Sequence, residues 1–333
     1  MSIPFLACRR RRYALALFCL AFCLCPLTAP AQVTLLVPSQ PSIEAPAPKA
    51  APREDKRTED KRTEDKRPDA AAPKAEQAGP GKDENPQSPA HKASSEPSID
   101  REVDVLITMM QPFRYEGLDM DMPQLFAVLR YDAATPLKDG VEQPERQDLL
   151  GDVEEIRYLN RKAWGANVAL TKPGLYQFAI EARPWWDAQN ERFLRHFVKA
   201  ILPVHGVEHG WRLPVGQRFE IVPLTRPFGL TLPAFFSGTA LLDGKPLAQA
   251  SVRMMRINME KRPAPTPWHE DLAARTNAQG EFAFVLSQPG WWCCEAQAQD
   301  APLKGSDGQP KPVRMSALLW LYVDSPVEPP KKR

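Results

Sequence analysis

A two-residue turn set between apolar runs constrains this chain more than any other feature. Phe235 to Leu242 is apolar with small residues, Asp243-Gly244 follows, and Ala250, Val252 and Met254 begin a new alternation after Pro246 and Ala248. Asp and Gly both tolerate positive φ, so Asp-Gly between apolar runs predicts a β-hairpin. The preceding segment, Glu220 to Leu230, has spaced apolar residues together with Pro223 and Pro227. Proline offers no amide hydrogen to a sheet ladder, so this segment reads as a stiff connector that hinges one β-domain to the next.

Period-two alternation dominates on both sides of the hinge. Val103, Val105, Ile107 and Met109 alternate with polar positions, and Leu125, Ala127 and Leu129 do so with Phe126 and Val128 on the other face. Such runs are half-buried strands. Arg157 to Asn160 and Ala163 to Leu170 form a further expected pair, and Leu175 to Ala182 is a strand after the turn Lys172-Pro173-Gly174. Arg192 to Leu202 fits helix or strand, and its β-rich surroundings and Pro203 assign it to strand. Beyond the hinge, strands are expected near Phe235 to Leu242, Ser251 to Ile257, Ala273 to Thr276, Glu281 to Leu286, Trp291 to Gln297 and Met315 to Tyr322. The expected fold class is all-β, with two immunoglobulin-like or prealbumin-like β-sandwich domains in tandem at residues 100–229 and 230–324.

The N-terminal third has a different character. Arg9 to Arg12 is basic, Tyr13 to Cys25 is apolar, and Ala29-Pro30-Ala31 has the small-residue cleavage pattern. Together they predict a secretory signal peptide over residues 1–31, cut before Gln32. The apolar run is shorter than the ~20 residues that span a bilayer. A lipoprotein signal at Leu20-Ala21-Phe22-Cys23 is a minor alternative, with Phe22 where a small residue is expected, and the arginine run leaves twin-arginine export as another. The mature chain is therefore expected in the periplasm, not spanning the membrane. Residues 32–39 read as a first strand. Residues 40–99 carry a repeat, Glu54-Asp-Lys-Arg-Thr, renewed at Glu59 and Glu64, and lack aromatic side chains up to residue 98. Such a stretch cannot bury enough apolar surface to offset its chain entropy, so a disordered linker is expected. Residues 325–333 form a basic, proline-rich tail. With 43 basic and 41 acidic side chains, the charge balance gives no reason to expect a nucleic-acid partner. Four of the six cysteines precede residue 26, which leaves Cys293 and Cys294 and excludes a disulfide scaffold.

Among the five histidines, His91 lies in the linker. His205-Gly-Val-Glu-His209 is the only local cluster: two imidazoles four apart with Glu208 between them could chelate a divalent ion. Gly206 and Gly210 argue for a loop rather than the helix of a zinc protease, and a polar surface turn is the plainer reading. His196 sits on an alternating strand, where a hydrogen-bonded structural role competes with ligation. Trp268-His269-Glu270-Asp271 reads as a solvated loop. Cys293 and Cys294 point to opposite faces of one strand. A thiolate would suit copper(I), but buried cysteine is more often a small hydrophobe. The methionines at 109, 110, 120, 122, 254, 255 and 259 could likewise bind copper(I), against a role as core filler. Trp185-Trp186 and Trp291-Trp292 could stack a sugar or bind a partner, against one of each pair being core. Neither a nucleophile elbow nor a phosphate loop is present, so a non-enzymatic protein is expected and a hydrolase is disfavoured.

Five segments carry a resemblance. They are Pro173-Gly174-Leu175-Tyr176, Arg192 to Lys199, Glu220 to Leu230, Leu241 to Pro246, and Gln288 to Trp292. In this order and spacing the chain resembles the periplasmic component associated with ABC-type nickel and cobalt uptake systems, many of whose members are known only as a domain of unknown function. The likeness spans about residues 31–39 and 100–324, with the linker as an insertion. It implies a soluble component that binds or delivers nickel or cobalt, as transported cargo, to a membrane transporter, with His196 matching a histidine of the family. Gln32 and Gln111 stand where that family carries histidine, and an amide is a poor ligand beside neutral imidazole. The metal candidates are thus His196, His205 and His209. The rival expectation is an envelope adaptor that binds a protein or glycan without metal.

Overall fold

The structure is a computed structural model that describes residues 31–45 and 101–326. The expected signal peptide, linker and tail lie outside them, apart from Ala31, residues 40–45 and residues 325–326. The described residues form β-strands joined by turns, with two single-turn 3₁₀ helices at Leu150–Asp152 and Pro267–His269. No helix among them is long and apolar enough to cross a membrane.

A ten-stranded sheet occupies the middle. Its main path runs Leu272–Arg275, Ser251–Arg256, Gly290–Lys304, Pro310–Asp324, Arg192–Val204, Gly174–Glu181, Leu125–Tyr131 and Glu145–Asp148. One cover sheet contains Val33–Pro38, Arg101–Gln111, Arg161–Leu170 and Glu154–Tyr158, with Glu116–Leu118 beside Arg101–Gln111. The other contains Phe219–Pro223, Ala234–Leu242, Lys245–Pro246 and Glu281–Leu286.

Alternation along the central strands sends successive side chains to different covers. Phe126, Val128, Phe178, Val198, Leu318 and Trp320 join the first cover's core. Leu129, Tyr131, Ala179, Phe197, Leu319 and Leu321 join the second's. The fold is a β-sandwich architecture in three layers, and the middle layer is buried on both faces.

The two expected sandwiches therefore share a sheet. Arg192–Val204 pairs in parallel with Pro310–Asp324, from Phe193 opposite Val313 to Ala200 opposite Trp320, and this ladder crosses the expected boundary at 229/230. The segment expected as a connector is also structured. Phe219–Pro223 pairs antiparallel with Ala234–Leu242 and forms an edge of the second cover. Edge position explains why Pro223, last in its strand, is tolerated there. The Asp243-Gly244 turn forms as predicted, with φ of 51° and 73°, and Leu242 faces Lys245 across it. The first strand does not end the ordered segment. Ile43, placed by sequence in the linker, is buried, donates its amide to Pro203 O at 3.0 Å, and accepts from the His205 amide at 2.7 Å.

Candidate functional site

The three candidate histidines do not converge. His196 and His205 lie nine positions apart on and just beyond one extended strand, about 30 Å of rise. His205 has a positive φ of 55°, and its Nε2 is buried without a hydrogen-bond partner. His209 pairs through Nε2 with Glu142 Oε2 at 2.7 Å. Glu208 pairs with Arg226 at 2.5 Å. The cluster read from the sequence is thus a turn whose members face separate partners, the plainer of the two readings. Among the described residues no three His, Cys, Asp or Glu side chains gather in a way that could hold a metal ion.

His196 is different. It lies in the central sheet, facing the first cover, and is 1% exposed. Its Nδ1 is 2.9 Å from Thr34 Oγ1 and 3.2 Å from the Thr34 amide, whose N–H it can accept. The Thr34 hydroxyl also approaches Met109 Sδ at 3.7 Å. The Thr34 carbonyl accepts from Trp320 Nε1 at 2.9 Å, so one residue of the first strand ties the ring, a thioether and the central sheet together. His196 Nε2 is buried and has no partner. Burial pushes the imidazole down to about 4, with Glu295 opposing and Arg314 reinforcing the shift, so the ring is neutral at pH 7.

A cavity of ≈ 10 Å³ adjoins His196, bordered also by Thr34, Met109, Met120, Asp121 and Trp185. That is room for one water-sized atom. Met109 and Met120 are buried, whereas Asp121 is exposed. Trp185 is half-buried and donates its indole N–H to Asp119 O at 3.1 Å.

The positions where the resembled family carries histidine fall in the same interlayer. Val33 faces Met110, so the register carried one step on sets Gln32 opposite Gln111. Both amides are buried, and Gln111 Oε1 has no partner. Gln111 borders a second small cavity with Ala31, Arg253, Met255 and Asp271.

Charged groups close this face of the central sheet. Glu295 accepts from the Ser316 hydroxyl at 2.7 Å and lies 3.8 Å from Arg314 and 4.0 Å from Arg253. Burial opposes ionisation of Glu295, but Arg314, Arg253 and Ser316 outweigh it and hold the carboxyl below its ordinary value. Arg253 is also paired to Asp271. These residues were not singled out by sequence. A signal existed, because Arg253, Glu295 and Arg314 interrupt otherwise apolar strands.

A larger groove of ≈ 880 Å³ lies elsewhere, lined by Trp291, Tyr115, Tyr158, Ile156 and Met259 and by the carboxylates Asp104, Asp152 and Glu154. Tyr115 and Tyr158 share a hydroxyl contact of 3.1 Å. Of the tryptophan pairs, Trp292 is core and Trp291 borders this groove, whereas Trp186 is 37% exposed. Cys293 and Cys294 are free and both buried, because both faces of their strand are covered. Burial raises both thiols, which keeps them protonated at neutral pH.

Residues 88–300 match the family described as Domain of unknown function (DUF4198). No curated protein matches the chain. Among solved structures, a variant of BcpA, the major pilin subunit of Bacillus cereus, aligns at 8% identity and a TM-score of 0.13, over 66% of this chain and 62% of the pilin.

Proposed function

The chain belongs to the family described as Domain of unknown function (DUF4198), and we propose that it serves outside the cytoplasm as a non-catalytic component that binds a transition-metal ion and hands it to a membrane transporter. The observation that supports this reading is His196, a neutral and buried imidazole whose Nε2 lacks a partner beside an ion-sized cavity. The motif resemblance to nickel and cobalt uptake components points the same way. Gln32 and Gln111 count against a histidine-rich nickel site in this member. The role of His205 and His209 is structural in this reading, since each sits apart from His196.

Calorimetric titration of the mature chain with nickel(II), cobalt(II), zinc(II) and copper(I) tests the proposal. At least one ion is expected to bind with one-to-one stoichiometry, to be lost in His196→Gln, and to be kept in the His205→Ala/His209→Ala double variant. Absence of binding to every ion, or binding that survives His196→Gln, overturns it. A second reading, an envelope binding module, is favoured by the groove beside Trp291, whose volume and aromatic walls suit a small organic ligand. A chain that takes up no metal ion would move the search there.

A further inference from the structure

Resting on that metal-binding reading, we infer that the cavity at His196 is built for a soft monovalent ion, copper(I) or its analogue silver(I), with His196 Nε2, Met109 Sδ and Met120 Sδ as ligands. The donor set is the first argument. Around one ion-sized cavity the fold gathers an imidazole and two thioethers from three separate strands or loops. Thioethers are soft donors that select copper(I), whereas nickel(II) and cobalt(II) are better served by imidazole and oxygen.

The state of the imidazole is the second argument. A buried ring nitrogen without a partner is costly. His196 Nε2 is such an atom, on a fully buried residue that borders the cavity. In the structure Nδ1 accepts the Thr34 amide N–H at 3.2 Å, which places the ring proton on Nε2; with an ion on Nε2 that proton moves to Nδ1, Thr34 Oγ1 at 2.9 Å accepts it, and the amide contact is given up. That is the outer-sphere arrangement metal-bound histidines adopt, and it fixes the tautomer.

The surroundings are the third argument. Trp185 borders the cavity, and an indole face attracts a cation electrostatically. Asp121, Arg183 and Pro184 border the same cavity and are exposed, which gives an ion a way in. Arg183 Nε donates to Met122 O at 3.1 Å, and Asp121 supplies a negative charge at the mouth. Cys293 and Cys294 are not part of the arrangement: neither borders the cavity, and burial holds both as thiols.

The test is anaerobic competition for copper(I) against bathocuproine disulfonate, with silver(I) as a redox-inert second probe and tryptophan fluorescence as the reporter of Trp185. One ion per chain is expected, with quenching. The Met109→Leu/Met120→Leu variant, which conserves volume, should lose more affinity than the ~10–100-fold typical of outer-sphere changes, while any zinc(II) affinity stays level. X-ray absorption of the copper(I)-loaded wild type should show two sulfur neighbours and one nitrogen, a readout that does not depend on the variant folding. Copper(I) held equally well by the double methionine variant overturns the inference. So does copper(I) lost in Cys293→Ala/Cys294→Ala with the methionines intact. Binding of nickel(II) but not copper(I), dependent on His196, ends this inference and leaves the broader metal reading standing. No metal binding ends both.

Discussion

Toward the first cover the central sheet presents Arg253, Glu295, Arg314, Ser316 and His196 among its apolar side chains. Toward the second it presents one ion pair, Lys199 Nζ with Glu220 Oε2 at 3.3 Å, both residues nearly inaccessible. Glu220 also accepts from the amides of Val215 at 2.9 Å and Gly216 at 3.2 Å. Each face is mostly aliphatic, yet the polar groups are arranged differently. On the second face the carboxylate is saturated and the ammonium has a single charged partner. On the first face the charges are shared among three ionic groups, and atoms of His196, Gln111, Glu295 and Arg314 are left without hydrogen-bond partners, while on the second an oxygen each of Gln177 and Gln217 is left so. A saturated pair fixes geometry, whereas unspent donors and acceptors beside a cavity mark where a ligand can be received. What sets the first interlayer apart is that one of its unpartnered atoms, His196 Nε2, belongs to a residue bordering a small cavity.

The largest expected effect breaks the second face. Lys199→Met leaves the Glu220 carboxylate buried without its cation and should cost about 3–5 kcal/mol of unfolding free energy, read by urea denaturation. Lys199→Met combined with Glu220→Gln should recover part of it. A single-variant cost near zero would show that the pair carries no charge in the fold. Arg314→Met on the first face should cost less, because Glu295 keeps Arg253 and Ser316.

The next effect belongs to the first face. Burial lowers the His196 imidazole from an ordinary 6.5 to about 4. The unfolded chain therefore takes a proton first as the pH falls, and stability drops between pH 6.5 and pH 4 by about 3 kcal/mol from this residue alone. Above pH 6.5 the contribution is constant. Unfolding curves across that window should steepen with acidity in the wild type and flatten in His196→Gln. Equal slopes would mean that the ring charges freely in the folded protein.

The smallest effect asks whether both faces are sealed alike. Cys293 points into the first interlayer and Cys294 into the second. Serine at either position buries a hydroxyl and should cost about 1–3 kcal/mol, and a maleimide should label neither thiol until the chain unfolds. Labelling of one cysteine in the native protein would show that its cover is open.

Much of the strand plan was legible because alternation is a local property. The Asp243-Gly244 hairpin and the strand Glu281–Leu286 follow from period and turn chemistry alone, whereas Arg192 to Leu202 was assigned to strand from its β-rich surroundings and Pro203. Alternation gave no guide where both faces are buried. Arg192–Val204 is buried at every position from Leu194 onward except Arg195, the pattern of a strand covered on both sides, and such a run reads equally as a helix. For the same reason Cys293 and Cys294, on opposite faces of one strand, are both buried. Glu220 to Leu230 was read as a connector because prolines exclude a central strand, but they do not exclude an edge.

The histidine at 196 could be singled out from sequence, whereas its surroundings could not. Thr34, Met109, Met120 and Trp185 lie far from it in sequence, and only strand pairing and layer stacking bring them to one cavity. The reverse holds for His205 and His209: their spacing suggested a site, and the positive φ at 205 together with Glu142 and Arg226 took the turn apart.

By itself, the sequence determined that this chain is all-β, where its turns fall, and which side chains could carry chemistry, because these depend on the pleat and on residues a few positions apart. The tertiary structure alone decided that two sandwiches share one sheet and that His196 borders a cavity that His205 and His209 do not. A parallel ladder between Arg192–Val204 and Pro310–Asp324 joins strands more than a hundred residues apart, and which distant strands pair is set by the packing of whole faces rather than by any local pattern.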